Sequence, residues 1–322
     1  MKIVLTGSIA FDYLMSFPGR FRDHILADRL DRLSLSFLVD TLVRRRGGIA
    51  ANIAFTMALL GQRPIVMATA GEDFEEYRAW LEAHGVDTSA IRVVPGLLTA
   101  SFFVNTDQVN AQIASFYSGA MARAADLHFE DLPSRPDLAM ISPNDPAAME
   151  AYVLECRRLG LPYFYDPSQQ IVRLGPEALR VGIASARALF CNDYEFGLIS
   201  EKVGLGLDAI VEQVEFLVIT RGEHGAEVYQ PGSTVHIPAI VPTRPAEPTG
   251  VGDAFRGGFL AGYALGLPLE RCGQMGALAA AYCLEEEGTQ GHGFSLEEFI
   301  ARFRRTFDAA PELEVLRLPA TS

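Results

Sequence analysis

The densest chemistry in the chain is Glu247-Pro248-Thr249-Gly250-Val251-Gly252-Asp253, a turn that runs straight into the apolar helical pattern Ala254 to Leu265. A helix entered through glycines turns its first backbone N–H groups outward, with the positive end of the helix dipole behind them. Such a terminus cradles an anion. Gly250 and Gly252 carry no side chain to obstruct the approach, and Asp253 stands at the start of the helix. A carboxylate there is often only a helix cap. Beside an anion cradle it can instead take a proton from a hydroxyl while the cradle holds phosphoryl charge. The chain has no G-x-S-x-G, no Walker P-loop and no complete G-x-G-x-x-G after its first strand, so a serine hydrolase, a P-loop enzyme and a dinucleotide-binding fold lack backing.

Other polar groups stand at spacings that serve structure as well as chemistry. Asn192 and Glu195 have the spacing of a helix capping box. Thr220, Arg221, Gly222 and Gly225 follow an apolar run and read as a hairpin turn before Ala226 to Tyr229. Phe102 and Phe116 sit in two strand-like halves of residues 98–118, joined at Asp107 to Asn110, where they are core residues or a stacking platform. Gln169 and Gln170 offer amides that both donate and accept.

These residues need a scaffold, and the pattern supplies one. Ile3 to Thr6, Pro64 to Thr69, Leu138 to Ser142, Pro162 to Tyr165, Ala188 to Cys191 and Phe216 to Thr220 are short apolar runs. Between them lie helical patterns at Ile49 to Leu60, Phe74 to His84, Ala147 to Leu159, Tyr194 to Val203 and Asp208 to Val214. Alternating strands and helices predict a mostly parallel sheet covered on both faces. Two segments break this rhythm: residues 11–45, with the alternating run Leu33 to Val39, and residues 98–118. Period-two alternation about a polar turn signals a hairpin rather than a crossover, so both segments are expected to leave the main sheet and build a small β lid, the alternative being an extra edge hairpin on that sheet.

Composition narrows the partners. The 322 residues carry 27 Lys and Arg against 40 Asp and Glu, a net charge of −13. So acidic a chain repels phosphate backbones and anionic lipid, which argues against nucleic acid or a membrane surface as partner. With 49% hydrophobic residues the chain can bury a sizeable core. The N-terminus MKIVLTGS lacks the apolar run and cleavage site of a secretory leader, and no run reaches the roughly 18 uncharged residues of a membrane span. Cys156, Cys191, Cys272 and Cys283 have neither zinc nor disulfide spacing. The expectation is a cytoplasmic protein with reduced core thiols.

Gly47-Gly48 with Asn52, then Asn192-x-x-Glu195, then Thr220-x-Gly222-x-x-Gly225, then Gly250-x-Gly252-Asp253 resemble the ordered signature of the ribokinase-like (PfkB-type) sugar and nucleoside kinases. The order and spacing cover nearly the whole chain. Within that family, TGSIAFDYLMSFPGRF near the start, LSLSFLVD at 33–40, QIASFYSGAM at 112–121, DPSQQ at 166–170 and PTGVGDAFR at 248–256 are most similar to bacterial adenosine kinases of the mycobacterial type. The resemblance implies an α/β ribokinase-like fold with a mostly parallel central sheet flanked by helices. Residues 1–10, 46–95 and 120–322 would form the main domain, and residues 11–45 and 96–119 a β lid over the substrate. The implied activity is transfer of the γ-phosphoryl group of ATP to the 5′-hydroxyl of adenosine.

Roles follow from the same resemblance. Asp253 would be the general base, and the N–H groups of Gly250, Val251 and Gly252 the anion hole. Asn192 and Glu195 would organise Mg²⁺ through its waters, and Asn192, Thr220, Arg221, Gly222 and Gly225 would hold the nucleotide. Asp12 would accept hydrogen bonds from two ribose hydroxyls, Gly48 would let the sugar approach the backbone, and Asn52 would both donate and accept. Ser8, Ser36 and Arg173 are similar to polar contacts of the related adenosine kinases. Phe102 and Phe116 would stack on the purine, with Gln169 and Gln170 at its edge. Many relatives carry an aspartate where Glu247 stands, in a loop associated with a monovalent cation. Glutamate keeps the charge on a longer arm, which leaves K⁺ activation open. The run Glu285 to Thr289 lies near the corresponding second loop, or is simply an acidic helix end. Unpaired lid edges seek partners, so a homodimer is expected. A kinase for a sugar or another nucleoside, and a catalytically silent binding protein, are the alternatives.

Overall fold

The computed structural model describes residues 1–25 and 34–317. In chain order the strands are Ile3–Thr6 (β1), Ala10–Ser16 (β2), Thr41–Gly47 (β3), Ile65–Ala70 (β4), Ile91–Val93 (β5), Ala100–Thr106 (β6), Gln112–Tyr117 (β7), Leu138–Ile141 (β8), Tyr163–Tyr165 (β9), Ala188–Asn192 (β10), Phe216–Thr220 (β11), Ala226–Gln230 (β12) and Ser233–Ile237 (β13). The α-helices are Ile49–Leu59 (α1), Glu75–Ala83 (α2), Pro146–Leu159 (α3), Pro176–Ala184 (α4), Asp193–Val203 (α5), Leu207–Val211 (α6), Val251–Ala264 (α7), Leu269–Leu284 (α8) and Leu296–Thr306 (α9).

The apolar runs β1, β4 and β8 are buried at every residue, because helices cover both faces of the sheet they form. That sheet has the order β13-β12-β11-β10-β9-β8-β1-β4-β5. It is parallel from β11 to β5, with an antiparallel edge of β12 and β13. Alternate residues of each strand face opposite layers. Ile3 and Leu5 join a core with α1, α2, α7 and α8, while Val4 joins one with α3, α4, α5 and α6. From β1 the chain runs outward through β4 on one side, and from β8 outward through β11 on the other. At such a reversal of strand order a crevice opens at the carboxyl ends of the strands. Ser8, Asp166, Asn192 and Thr220 all lie at those ends, and Asn192 and Thr220 are register partners.

A second sheet has the order β3-β2-β6-β7. The two halves of residues 98–118 form its β6 and β7. They are joined by a turn in which the Asp107 carboxylate accepts hydrogen bonds from the backbone of Phe21, Val109 and Ala111. The alternating run Leu33 to Val39 is not a strand. Leu33 lies outside the described residues, and residues 34–39 have no regular structure. Their apolar side chains do not share a face: Phe37 packs against Phe17 and Phe21, whereas Leu38 is 86% exposed. The strand begins after it, at Thr41. Helix α6 ends at Val211, three residues short of the expected Val214. Among the described residues no helix is long and apolar enough to cross a membrane, and all four cysteines are buried and unpaired.

Candidate active site

Helix α7 begins at Val251, earlier than the apolar pattern suggests, so Gly252 and Asp253 lie inside its first turn. Gly250 adopts φ +81°, a left-handed conformation open to glycine, and no side chain caps the helix. The first N–H groups are thus left to whatever occupies the crevice. Asp253 does not act as a cap. Its Oδ2 accepts a hydrogen bond from Asn52 Nδ2 at 2.8 Å, and no other side chain or backbone N–H among the described residues bonds the carboxylate. Burial pushes Asp253 up to about 6, against the pull of the Arg256 guanidinium and the Asn52 amide. Above that pH it is ionised and ready to accept a proton.

Close helix packing delivers Asn52 to this point. A Cβ at Gly257 of α7 would lie 2.8 Å from the Ile53 carbonyl of α1, so only glycine permits the approach. Helix α1 is entered through Gly48, whose φ is +95° and whose missing Cβ would sit 2.5 Å from the Ser8 carbonyl. The Ser8 hydroxyl accepts from the Ile49 N–H at 3.1 Å. Ser8 therefore holds the start of α1, and Gly48 makes room for it.

One turn after Asp253, Arg256 is buried and reaches two ways. Nη1 donates to the Gly252 carbonyl at 3.0 Å, and Nη2 donates to Asp166 at 2.9 Å. Against burial, which lowers it, Asp166 and Asp253 hold the guanidinium above its ordinary value. This pair ties the Gly250–Gly252 turn to the segment after β9. From that segment Ser168 donates to Glu195 Oε1 at 2.7 Å.

Glu195 and Asn192 form the capping box that their spacing predicts, through Glu195 N–H to Asn192 Oδ1 at 2.7 Å and Asn192 N–H to Glu195 Oε2 at 2.8 Å. Among the described residues no group of three or more His, Cys, Asp or Glu side chains converges to hold a metal ion. This donor set fits Mg²⁺ that keeps most of its waters and is carried in with phosphates. Glu195, already engaged at both oxygens, would reach it through water. Thr220 ends β11, and Arg221 to Gly225 form the turn into β12. There the Arg221 guanidinium pairs with Glu227 at 2.8 Å rather than standing open.

In the smaller sheet, Arg45 of β3, Asp12 of β2, Phe102 of β6 and Phe116 of β7 are successive register partners. Directly opposed residues share a face, so the four form one row across it. Asp12 is close enough to Asp253 for that carboxylate's charge to push it up slightly. Burial and Glu247 push Asp12 up to about 6, while Arg45 opposes them. Arg45 also pairs with Glu247 and, at 2.9 Å, with Glu287. Glu247 further accepts from the Gly288 N–H at 3.2 Å. The run Glu285 to Thr289 is thus no free acidic helix end: Glu285 pairs with Arg302 at 2.7 Å and Thr289 is buried.

The sequence-derived residues fall into two sets. Asp12, Asn52 and Asp253 come together beside the Gly250–Gly252 turn, with Gly48 ahead of α1, whereas Phe102 and Phe116 are tied to them only as strand neighbours of Asp12, and Phe116 is 51% exposed. Ser36, Gln169 and Arg173 are exposed and show no hydrogen bond to that cluster, while Gln170 is buried with its Oε1 unpartnered. Sequence reasoning assigned no role to Arg45, Asp166, Arg256 or Gln290. The one local signal was the three-residue spacing from Asp253 to Arg256 on a helix.

A family model described as pfkB family carbohydrate kinase matches residues 14–293. A nucleoside kinase of Methanothermobacter thermautotrophicus is 29% identical over 97% of this chain and 98% of its own. A Burkholderia thailandensis nucleoside kinase solved in complex with inosine superimposes with a TM-score of 0.85 at 36% identity, covering 95% of this chain and 98% of that one. Its complex with ADP-inosine gives 0.83 at 37% identity, covering 95% and 96%. The likeness makes this architecture the ribokinase-like α/β fold.

Proposed function

The chain belongs to the pfkB family of carbohydrate kinases, and within it we propose a nucleoside kinase that phosphorylates the 5′-hydroxyl of a purine nucleoside, adenosine first, at the expense of ATP. The observation that carries this reading is the row Asp12–Phe102–Phe116 beside Asp253. Strands lie about 4.8 Å apart, so Phe102 and Phe116 follow Asp12 at roughly 5 and 10 Å across the sheet. That is the offset between a ribose diol and the base of one nucleoside. A free sugar would leave the aromatic pair unused. The inosine complexes of the Burkholderia relative favour, as a second reading, another purine nucleoside at the same place.

In this reading Asp12 accepts from the ribose diol, and the smaller sheet closes over the nucleoside as a lid. The 5′-hydroxyl lies against Asp253, whose carboxylate takes its proton as the oxygen attacks phosphorus. Gly250, Val251 and Gly252 offer N–H groups to the charge on the moving phosphoryl group. Positioning and charge stabilisation supply most of the rate of such a transfer. Mg²⁺, held beside Glu195, would neutralise charge on the triphosphate. Arg45 already offsets Glu247 and Glu287, so K⁺ is not needed to balance that loop. An ADP-release assay over adenosine, inosine, guanosine, ribose and fructose tests the reading. Purine nucleosides are expected to exceed ribose at least about 100-fold in kcat/KM, the range a polar and stacking pocket commands; ribose matching adenosine would overturn it.

The free edge of β7 is exposed at all six residues, and Phe103, Ile113 and Tyr117 are more than a third exposed. We propose that this edge pairs with a second copy of the chain. Sedimentation should show a dimer that Ile113→Pro dissociates, and a monomeric parent protein refutes the pairing.

A further inference from the structure

Behind Asp253 runs a chain of hydrogen bonds whose direction is set at its far end. The Trp80 indole of α2 donates from Nε1 to Gln290 Oε1 at 3.1 Å. Gln290, 8% exposed in the loop after α8, donates from Nε2 to Asn52 Oδ1 at 3.0 Å and to the Tyr77 hydroxyl. The Tyr77 hydroxyl donates in turn to the Gly47 carbonyl at 2.9 Å. Asn52 then donates from Nδ2 to Asp253.

An amide can be turned over with little change of shape, so something must decide which end of Asn52 faces the carboxylate. An indole N–H is a donor only. Were Gln290 reversed, its NH₂ would meet the Trp80 N–H. With Gln290 held, a reversed Asn52 would set NH₂ against NH₂ on one side and oxygen against carboxylate on the other. Buried polar groups left so mismatched are strongly disfavoured. Thr289 Oγ1, 2.9 Å from Asn52 Oδ1, sits on the same acceptor and does not oppose this direction.

We propose that Trp80 and Gln290 are positioning residues for the reaction, the donor-only indole fixing the direction of an amide relay that ends in an N–H held on the Asp253 carboxylate. The relay stabilises the ionised base and occupies one of its oxygens. The acceptor hydroxyl is left the other. The assignment of Asp253 as base rests on the nucleoside kinase reading, whereas the relay itself is a property of the ligand-free protein. The charged and titratable groups facing Asp253 are Arg256 on α7, Glu195 on α5, Asp12 on β2, Asp166 beyond β9, Tyr77 on α2 and Cys283 on α8. Substituting Trp80 changes none of them, and Gln290→Leu takes one hydrogen bond from Tyr77, which burial keeps neutral.

The test is a carboxyl ¹³C NMR titration of Asp253 in the ligand-free full chain, comparing the parent protein with Gln290→Leu and Trp80→Phe. Freeing Asn52 to turn weakens its hydrogen bond to the charged carboxylate, which should raise the midpoint by up to about one pH unit in Q290L and by a smaller step in W80F. The acid limb of kcat should move the same way, with kcat several-fold lower and KM for ATP unchanged. If Q290L fails to fold, W80F, which keeps an aromatic ring, carries the test. Midpoints equal to that of the parent protein in folded variants overturn the relay, even if the kinase is active. A parent protein with no phosphoryl transfer overturns the kinase reading and leaves a shifted midpoint standing for the relay.

Discussion

Asp253→Asn is expected to fold and to bind both ATP and nucleoside, yet to lose about 10²- to 10⁴-fold in kcat, the range spanned by a positioned general base. The substitution keeps shape and leaves an oxygen to accept from Asn52, so the 2.8 Å contact survives. What disappears is the proton acceptor. In the parent protein that acceptor titrates near pH 6: activity should hold above this value and fall as the pH drops through it. The variant's residual rate should show no such limb. Rapid-quench measurement of single turnovers with adenosine separates the chemical step from binding. A variant with near-parental kcat would remove Asp253 from the reaction.

The second large effect is on stability. Arg256→Met would strand the Asp166 carboxylate, which is 1% exposed, without its cation. Breaking a buried pair on one side costs about 3–5 kcal/mol. For a chain of this size that corresponds to a drop in Tm of roughly 4–7 °C. Adding Asp166→Asn should recover much of the loss, because an uncharged partner no longer carries the desolvation penalty. Calorimetry on the single and double variants distinguishes a buried ion pair from mere packing. A single variant as stable as the parent protein would show that the pair holds nothing.

Sequence patterning made the main sheet legible because its physics is local. Ile3–Thr6 and Phe216–Thr220 are apolar up to their closing threonine, as strands covered on both faces must be. The smaller sheet was harder. Thr41–Gly47 reads TLVRRRG, a sequence with little strand character, and it becomes a strand by pairing with Ala10–Ser16 while its arginines find partners elsewhere in the fold. Arg45 meets Glu247 and Glu287 across 202 and 242 residues. The same divide runs through the site. The glycine turn and Asp253 share one helix start and could be read from adjacent residues. The Asn52 contact spans 201 residues and depends on two helices touching at Gly257. Trp80 and Gln290 carry no motif, and their part is visible only once α1, α2 and the loop after α8 are packed together. Ser8 shows the opposite case: a residue picked out for substrate contact also caps α1.

The most direct measurement is the structure of the Asp253→Asn protein trapped with ATP and adenosine. The γ-phosphate is expected against the N–H groups of Gly250 to Gly252, with the 5′-oxygen within hydrogen-bonding reach of residue 253 and the purine stacked on the row formed by Phe102 and Phe116. A triphosphate docked away from the start of α7, or a 5′-oxygen facing some other side chain, would contradict it.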